Sequence, residues 1–154
     1  MNVKHIWSVL CKESIINQED NVISLHGVLE EISSLLTPVG KEFKKQEKII
    51  IPFNYEIVSY WIKDLDRDIK MDVKVKIIDP KGKELSEAVN SSVFPKESKR
   101  LRTRMKIQGL PVTENGRYIF TISLKTDNEK DYKQVSMLPL DIKFKIQPQK
   151  TSVS

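Results

Sequence analysis

The stretch MDVKVKI, Met71–Ile77, sets Met71, Val73, Val75 and Ile77 against Asp72, Lys74 and Lys76 in strict alternation. Successive side chains of a β-strand point to opposite faces, whereas a helical face needs apolar residues three and four apart. One apolar face and one charged face describe a strand with a core on one side and water on the other.

The same period continues along the chain. In LRTRMKI, Leu101, Thr103, Met105 and Ile107 alternate with Arg102, Arg104 and Lys106. RYIFTISL sets Tyr118, Phe120, Ile122 and Leu124 against Ile119, Thr121 and Ser123. LPLDIKFKI sets Leu138, Leu140, Ile142, Phe144 and Ile146 against Asp141, Lys143 and Lys145. Less regular strands are expected over Val3–Lys12, Val22–Ile32, Lys48–Ile62 and Leu85–Phe94, with Pro52 marking an edge, a bulge or a break. Six turn sequences, NQEDN, KDLDRD, DPKGKE, FPKES, LPVTENG and TDNEKD, and the longer connection Ser33–Glu47 separate the eight.

No amphipathic helix is evident. Ser33–Glu47 contains Pro38 and Gly40 and reads as a long connection with at most a short helical turn. The expected fold is all-β: a single antiparallel β-sandwich of about eight strands over residues 1–147, with a closed barrel as the main rival. Residues 148–154 are expected to form a flexible C-terminal tail. At 154 residues the chain is the size of one domain and needs no crosslink or structural metal to fold. It has one cysteine, Cys11, which cannot pair internally. The N-terminal apolar stretch is too short and polar for a signal peptide, and no run is long enough for a membrane helix. A cytoplasmic protein is expected.

Three stretches together carry a resemblance. CKESIINQEDNVISLHGVLEEI (Cys11–Ile32), VKIIDPKGKEL (Val75–Leu85) and ENGRYIFTISL (Glu114–Leu124) follow one another in the chain. In this order they resemble a family of small prokaryotic proteins of unknown function that are single immunoglobulin-like β-sandwiches, over about Val3–Ile146. The resemblance implies an immunoglobulin-like topology. It implies no catalytic residue, because the family carries no assigned activity.

Few residues invite chemistry. A zinc site needs three or four ligands at tight spacing, and the chain has only His5, His26 and Cys11, spread over two strands. His5 shares alternation with Trp7, Val9 and Cys11 and reads as a packed histidine; His26 falls with Ser24 and Glu30 on a polar face. No nucleophile elbow and no glycine-rich phosphate loop occurs. No cofactor is expected. If every strand reverses direction, three acidic turns meet at one end: Glu19 and Asp20; Asp64, Asp66 and Asp68; and Asp127, Glu129 and Asp131. Converging carboxylates could hold calcium, although charged residues also simply solvate turns.

The charge layout is uneven. The chain carries 26 basic and 21 acidic residues. Lys96, Lys99, Arg100, Arg102, Arg104 and Lys106 lie within eleven residues with Glu97 as the one acid, so this stretch accounts for the whole net charge of +5. Alternation makes it a cationic ridge able to meet phosphates, acidic lipid or an acidic protein. It carries no outward aromatic for base stacking, so nucleic acid is the weaker candidate. The same charges also suit a wet strand face, matched by acids on a neighbouring strand or on the acidic turns, or an edge guarded against unwanted pairing. The expected function is a non-enzymatic binding or interaction module with a protein partner. The rivals are an anion-binding protein using residues 96–106 and a hydrolase with a loop-borne site.

Overall fold

The computed structural model describes residues 2–36 and 48–146. Residues 148–154, expected as a tail, and much of the connection after Ser33 lie outside the described residues.

Nine strands form two sheets: β1 (Val3–Ile16), β2 (Ile23–Val28), β3 (Glu31–Leu36), β4 (Ile49–Lys63), β5 (Ile69–Ile78), β6 (Glu84–Phe94), β7 (Arg100–Val112), β8 (Gly116–Thr126) and β9 (Lys133–Ile146). One sheet has the order β2-β1-β4-β7 and the other β3-β9-β8-β5-β6. No helix is found among the described residues, and none that is long and apolar enough to cross a membrane.

The all-β expectation holds, and two sheets stand where a barrel was the rival. Two particulars change. The expected strand Val22–Ile32 is two strands that cross between sheets within Leu29–Glu30. Leu29 is buried and donates its N–H to Leu10 O, while Glu30 O accepts from Asp141 N–H, so this two-residue link is bonded to both sheets. β3 then runs parallel to β9, from Glu31↔Asp141 to Leu36↔Ile146. The second sheet is therefore mixed, not antiparallel throughout.

Alternation drives the inner faces together. Met71, Val73, Val75 and Ile77 of β5 meet Phe120, Ile122 and Leu124 of β8 across the sheet, all buried. Tyr55, Ile57 and Trp61 of β4 supply the other layer. Each fully buried side chain of this kind stabilises the fold by roughly 1.5–3 kcal/mol. Pro52 lies at a bulge: the β4–β7 register shifts between Ile51 and Asn54. A second shift, between His5 and Trp7 of β1, turns His5 inward onto Trp61 with ring centroids 5.1 Å apart. Trp7 instead pairs with Tyr60 on the outer face. The alternation expected to unite His5 with Trp7, Val9 and Cys11 is broken by the extra residue, Ile6.

β1 is long enough to serve two neighbours. Its first part pairs with β4 as far as Cys11↔Glu56, and its last part pairs with β2 from Cys11↔Val28 to Ile16↔Ile23. The β1–β2 hairpin bends over the outer face of its own sheet. Val58 and Glu56, which face outward from β4, are only 0% and 5% exposed beneath it.

Candidate functional site

The structure sets four of the six basic residues singled out in the sequence on the outer face of β7 and the other two in the turn before it. Leu101, Thr103, Met105 and Ile107 of β7 face the core and Arg100, Arg102, Arg104 and Lys106 face outward, as alternation requires. β7 is the edge of its sheet, paired only with β4 among the described residues. Arg104 bonds Glu56 Oε1 through Nε at 3.4 Å and donates to Ser14 O at 3.4 Å. Glu56 in turn accepts from the Ser14 N–H and hydroxyl. Arg102 donates to Asn21 O in the β1–β2 turn. Two of the four outward cations thus hold the hairpin against the sheet. Arg100 and Lys106 are exposed and have no ion-pair partner among the described residues.

The other two residues meet the β4–β5 turn, Lys99 through its ammonium and Lys96 through its backbone. Lys99 Nζ lies 2.6 Å from Asp66 Oδ1 and also donates to Asp64 O. Lys96 donates its backbone N–H to Asp68 Oδ1 at 2.6 Å. The fold brings the β4–β5 and β8–β9 turns together through Arg67, whose Nη1 is 3.3 Å from Asp127 Oδ2. Asp127 also accepts from Lys70 N–H, and Glu129 from Thr126 N–H and hydroxyl. The first turn does not join this cluster as expected: it is tied to Arg102, because β1 curls over its sheet and the extra strand upsets the count of reversals. Among the described residues, no three of His, Cys, Asp and Glu gather as metal ligands would. The carboxyls of Asp66 and Asp127 sit below the usual range because Lys99 and Arg67, respectively, bond their charged forms.

Sequence reading missed Lys63. It ends β4 and is 2% exposed. Its Nζ donates to Arg67 O, Phe94 O and Pro95 O, and lies 4.7 Å from the centre of the Phe94 ring. One ammonium so fastens the β4–β5 turn to the start of the β6–β7 turn. The only signal in the sequence is its position two residues after buried Trp61, on the same face.

Sequence reading also missed an edge. β6 ends its sheet and pairs only with β5 among the described residues. From Ala88 to Phe94 it reads AVNSSVF, with no charge, proline or glycine. Val89 and Val93 are 48% and 49% exposed on the outer face. Ala88, facing the other way, is exposed as well, so the strand overhangs the opposite sheet.

On the opposite side, a cleft of about 440 Å³ is lined by Ser8, Leu10, Val28, Glu30, Arg117 and Asp141, among others. Arg117 and Asp141 pair across its rim at 2.8 Å. Their bond holds the Asp141 carboxyl below the usual range.

No family model and no curated protein matches the chain. Among solved structures, the C-terminal domain of wzt is similar with a TM-score of 0.55 at 10% identity, over 99% of this chain and 83% of that one. A beta-glucuronidase from glycoside hydrolase family 2 has a TM-score of 0.41 at 13% identity, over 63% of this chain and 11% of that one. The first likeness supports an all-β fold spanning the described chain, and no family model ties the chain to the immunoglobulin-like resemblance.

Proposed function

We propose that the chain is a non-enzymatic binding module whose partner is a protein, docked by strand addition along β6. The observation that carries this reading is the uncharged outer edge of Ala88–Phe94, whose outward backbone groups have no partner strand among the described residues. Such an edge is a template for another strand, and soluble proteins usually guard one with charges, proline or a bulge. β7, the edge of the other sheet, carries that protection in Arg100, Arg102, Arg104 and Lys106.

The anion reading loses weight because Arg104 is paired with Glu56 and Arg102, though still charged, is held on the Asn21 carbonyl. An immunoglobulin-like affiliation and a cytoplasmic setting belong to the same proposal. A lone Cys11 suits a reducing compartment.

The test places a photoreactive amino acid at position 91, 100 or 106 in living cells and identifies each adduct. Protein adducts concentrated at position 91 are expected. Nucleic-acid or lipid adducts at 100 and 106, with none at 91, would replace this reading with anion binding.

A further inference from the structure

We infer that the strand added to β6 is β6 of a second copy, paired antiparallel about a two-fold axis at Ser91. This rests on the edge reading above and names its occupant. A two-fold interface demands a self-complementary surface, and this edge has one.

With Ser91 opposite its own mate, Val89 of each copy stands opposite Val93 of the other on the outer face. Both are half-exposed, and β-branched pairs of this kind stabilise a sheet. On the inner face Asn90 stands opposite Ser92. Ser92 Oγ is the one buried side-chain oxygen among the described residues without a hydrogen-bond partner. Rotation about its χ1 would turn that hydroxyl toward the incoming Asn90 amide.

Charge does not oppose this register. Glu84 and Glu87 at the start of the strand are paired with Lys76 and Lys74 of their own chain, and its end is followed by one charge of each sign, Lys96 and Glu97. Between them the segment carries no charge that would face its like. The nine-strand domain would become one half of a sandwich whose larger sheet runs unbroken through ten strands, five from each copy.

A strand pair alone falls at the low end of specific interfaces, below about 1,200 Å² in total, so the dimer should dissociate on dilution. Light scattering after size exclusion, at micromolar to millimolar concentration, should show the mass rising from 17.9 kDa toward twice that value. Ser91→Lys should hold it at the monomer mass while the chain stays folded: Ser91 is exposed, and a lysine ammonium there can meet the Asp72 carboxylate that its hydroxyl now bonds. Ser91→Cys fixes the register. Paired Cα atoms lie about 4.5–5.5 Å apart, within disulfide reach. Under mild oxidation it should crosslink rapidly, and Val89→Cys, displaced along the strand from its own mate, should not.

A mass of 17.9 kDa at every concentration overturns the inference, as does a dimer that Ser91→Lys leaves intact. So does a Ser91→Cys crosslinking rate no greater than that of Val89→Cys. A constant monomer with a different protein captured at position 91 would remove the second copy and leave the edge reading standing. No capture at position 91 in cells would remove both.

Discussion

Arg104 reaches past its cross-strand neighbour Val58 to Glu56, 3.4 Å away, and its guanidinium also bonds the Ser14 carbonyl of the hairpin lying over that face. Glu56 is 5% exposed and Arg104 about a third exposed, so this is a part-buried ion pair supported by hydrogen bonds. Such a pair contributes most through what its removal leaves behind. Glu56→Ala would strand the buried Ser14 N–H and leave Arg104 without its counter-charge. The expected loss is roughly 2–3 kcal/mol, less than for a fully buried pair because water reaches Arg104. Denaturant unfolding measures it. Hydrogen exchange should rise first over Ser14–Val28, because the bonds lost are those that hold the hairpin down.

Cys11 gives an independent readout of the same hairpin. Its thiol is fully buried between Glu56 and Val28, its neighbours across the sheet. Burial pushes its pKa up and the Glu56 carboxylate pushes it further. A thiol that is both hidden and protonated is a poor nucleophile. A thiol reagent should therefore modify the native protein at the rate of hairpin opening, several-fold faster in Arg104→Ala than in the parent. Equal rates in the two would mean that Arg104 does not restrain the hairpin.

Lys63 should tolerate no replacement. Lys63→Met keeps the length and apolar stem but leaves the carbonyls of Arg67, Phe94 and Pro95 without their shared donor. The expected cost is roughly 3 kcal/mol, read from urea midpoints at constant slope. Lys63→Arg should not restore stability, because a planar guanidinium cannot direct its hydrogens at three carbonyls as a tetrahedral ammonium does.

The strands were legible wherever one face is wet. β5, β7 and β8 alternate cleanly because inner and outer residues meet different solvents. Legibility failed where a local feature changes no residue type. The β2–β3 link is Leu29–Glu30, with none of the glycine or proline that marks a turn, because it is bonded to two sheets rather than bent in water. Ile6 is an extra residue in an apolar run, so the shift that turns His5 inward leaves no mark. Of the basic stretch, the outward direction of its side chains followed from alternation. The partners did not, because Glu56 and Asn21 are distant in sequence and meet the arginines only through the curl of β1. Glu56 was nonetheless visible as the single acid in the strand Lys48–Ile62.

Acid should weaken the fold in two steps. Burial lowers the pKa of His5 below 6.5, so the unfolded chain binds a proton more readily. Stability is then complete above about pH 6.5 and falls as pH drops through the lower folded value. Asp79 gives the second step. Burial would raise its pKa, but N–H bonds from Lys83 and Lys81 and the Thr113 hydroxyl outweigh it and hold the carboxyl below 3.8. Its contribution is complete above the ordinary carboxylate range and is lost as pH falls through the depressed value. His5→Gln should flatten the first step of a pH series of melting temperatures. Asp79→Asn should flatten part of the second, since Asp66, Asp127 and Asp141 share that sign.

Gly109 separates two causes of strain at one residue. It has φ +80°, where a side chain is disfavoured, and a Cβ there would come within 2.8 Å of Ile50 Cγ2. Its carbonyl accepts the Tyr55 hydroxyl at 3.3 Å, so the backbone cannot relax without loosening a buried tyrosine. Gly109→Ala should cost about 1–2 kcal/mol from backbone conformation alone, with steric conflict added. Ile50 is 53% exposed, so its side chain has room to swing away and the steric part should be small. A double-mutant cycle with Ile50→Ala tests this. If the cost of Gly109→Ala is the same with and without Ile50, conformation sets it; if Ile50→Ala removes most of it, the contact does.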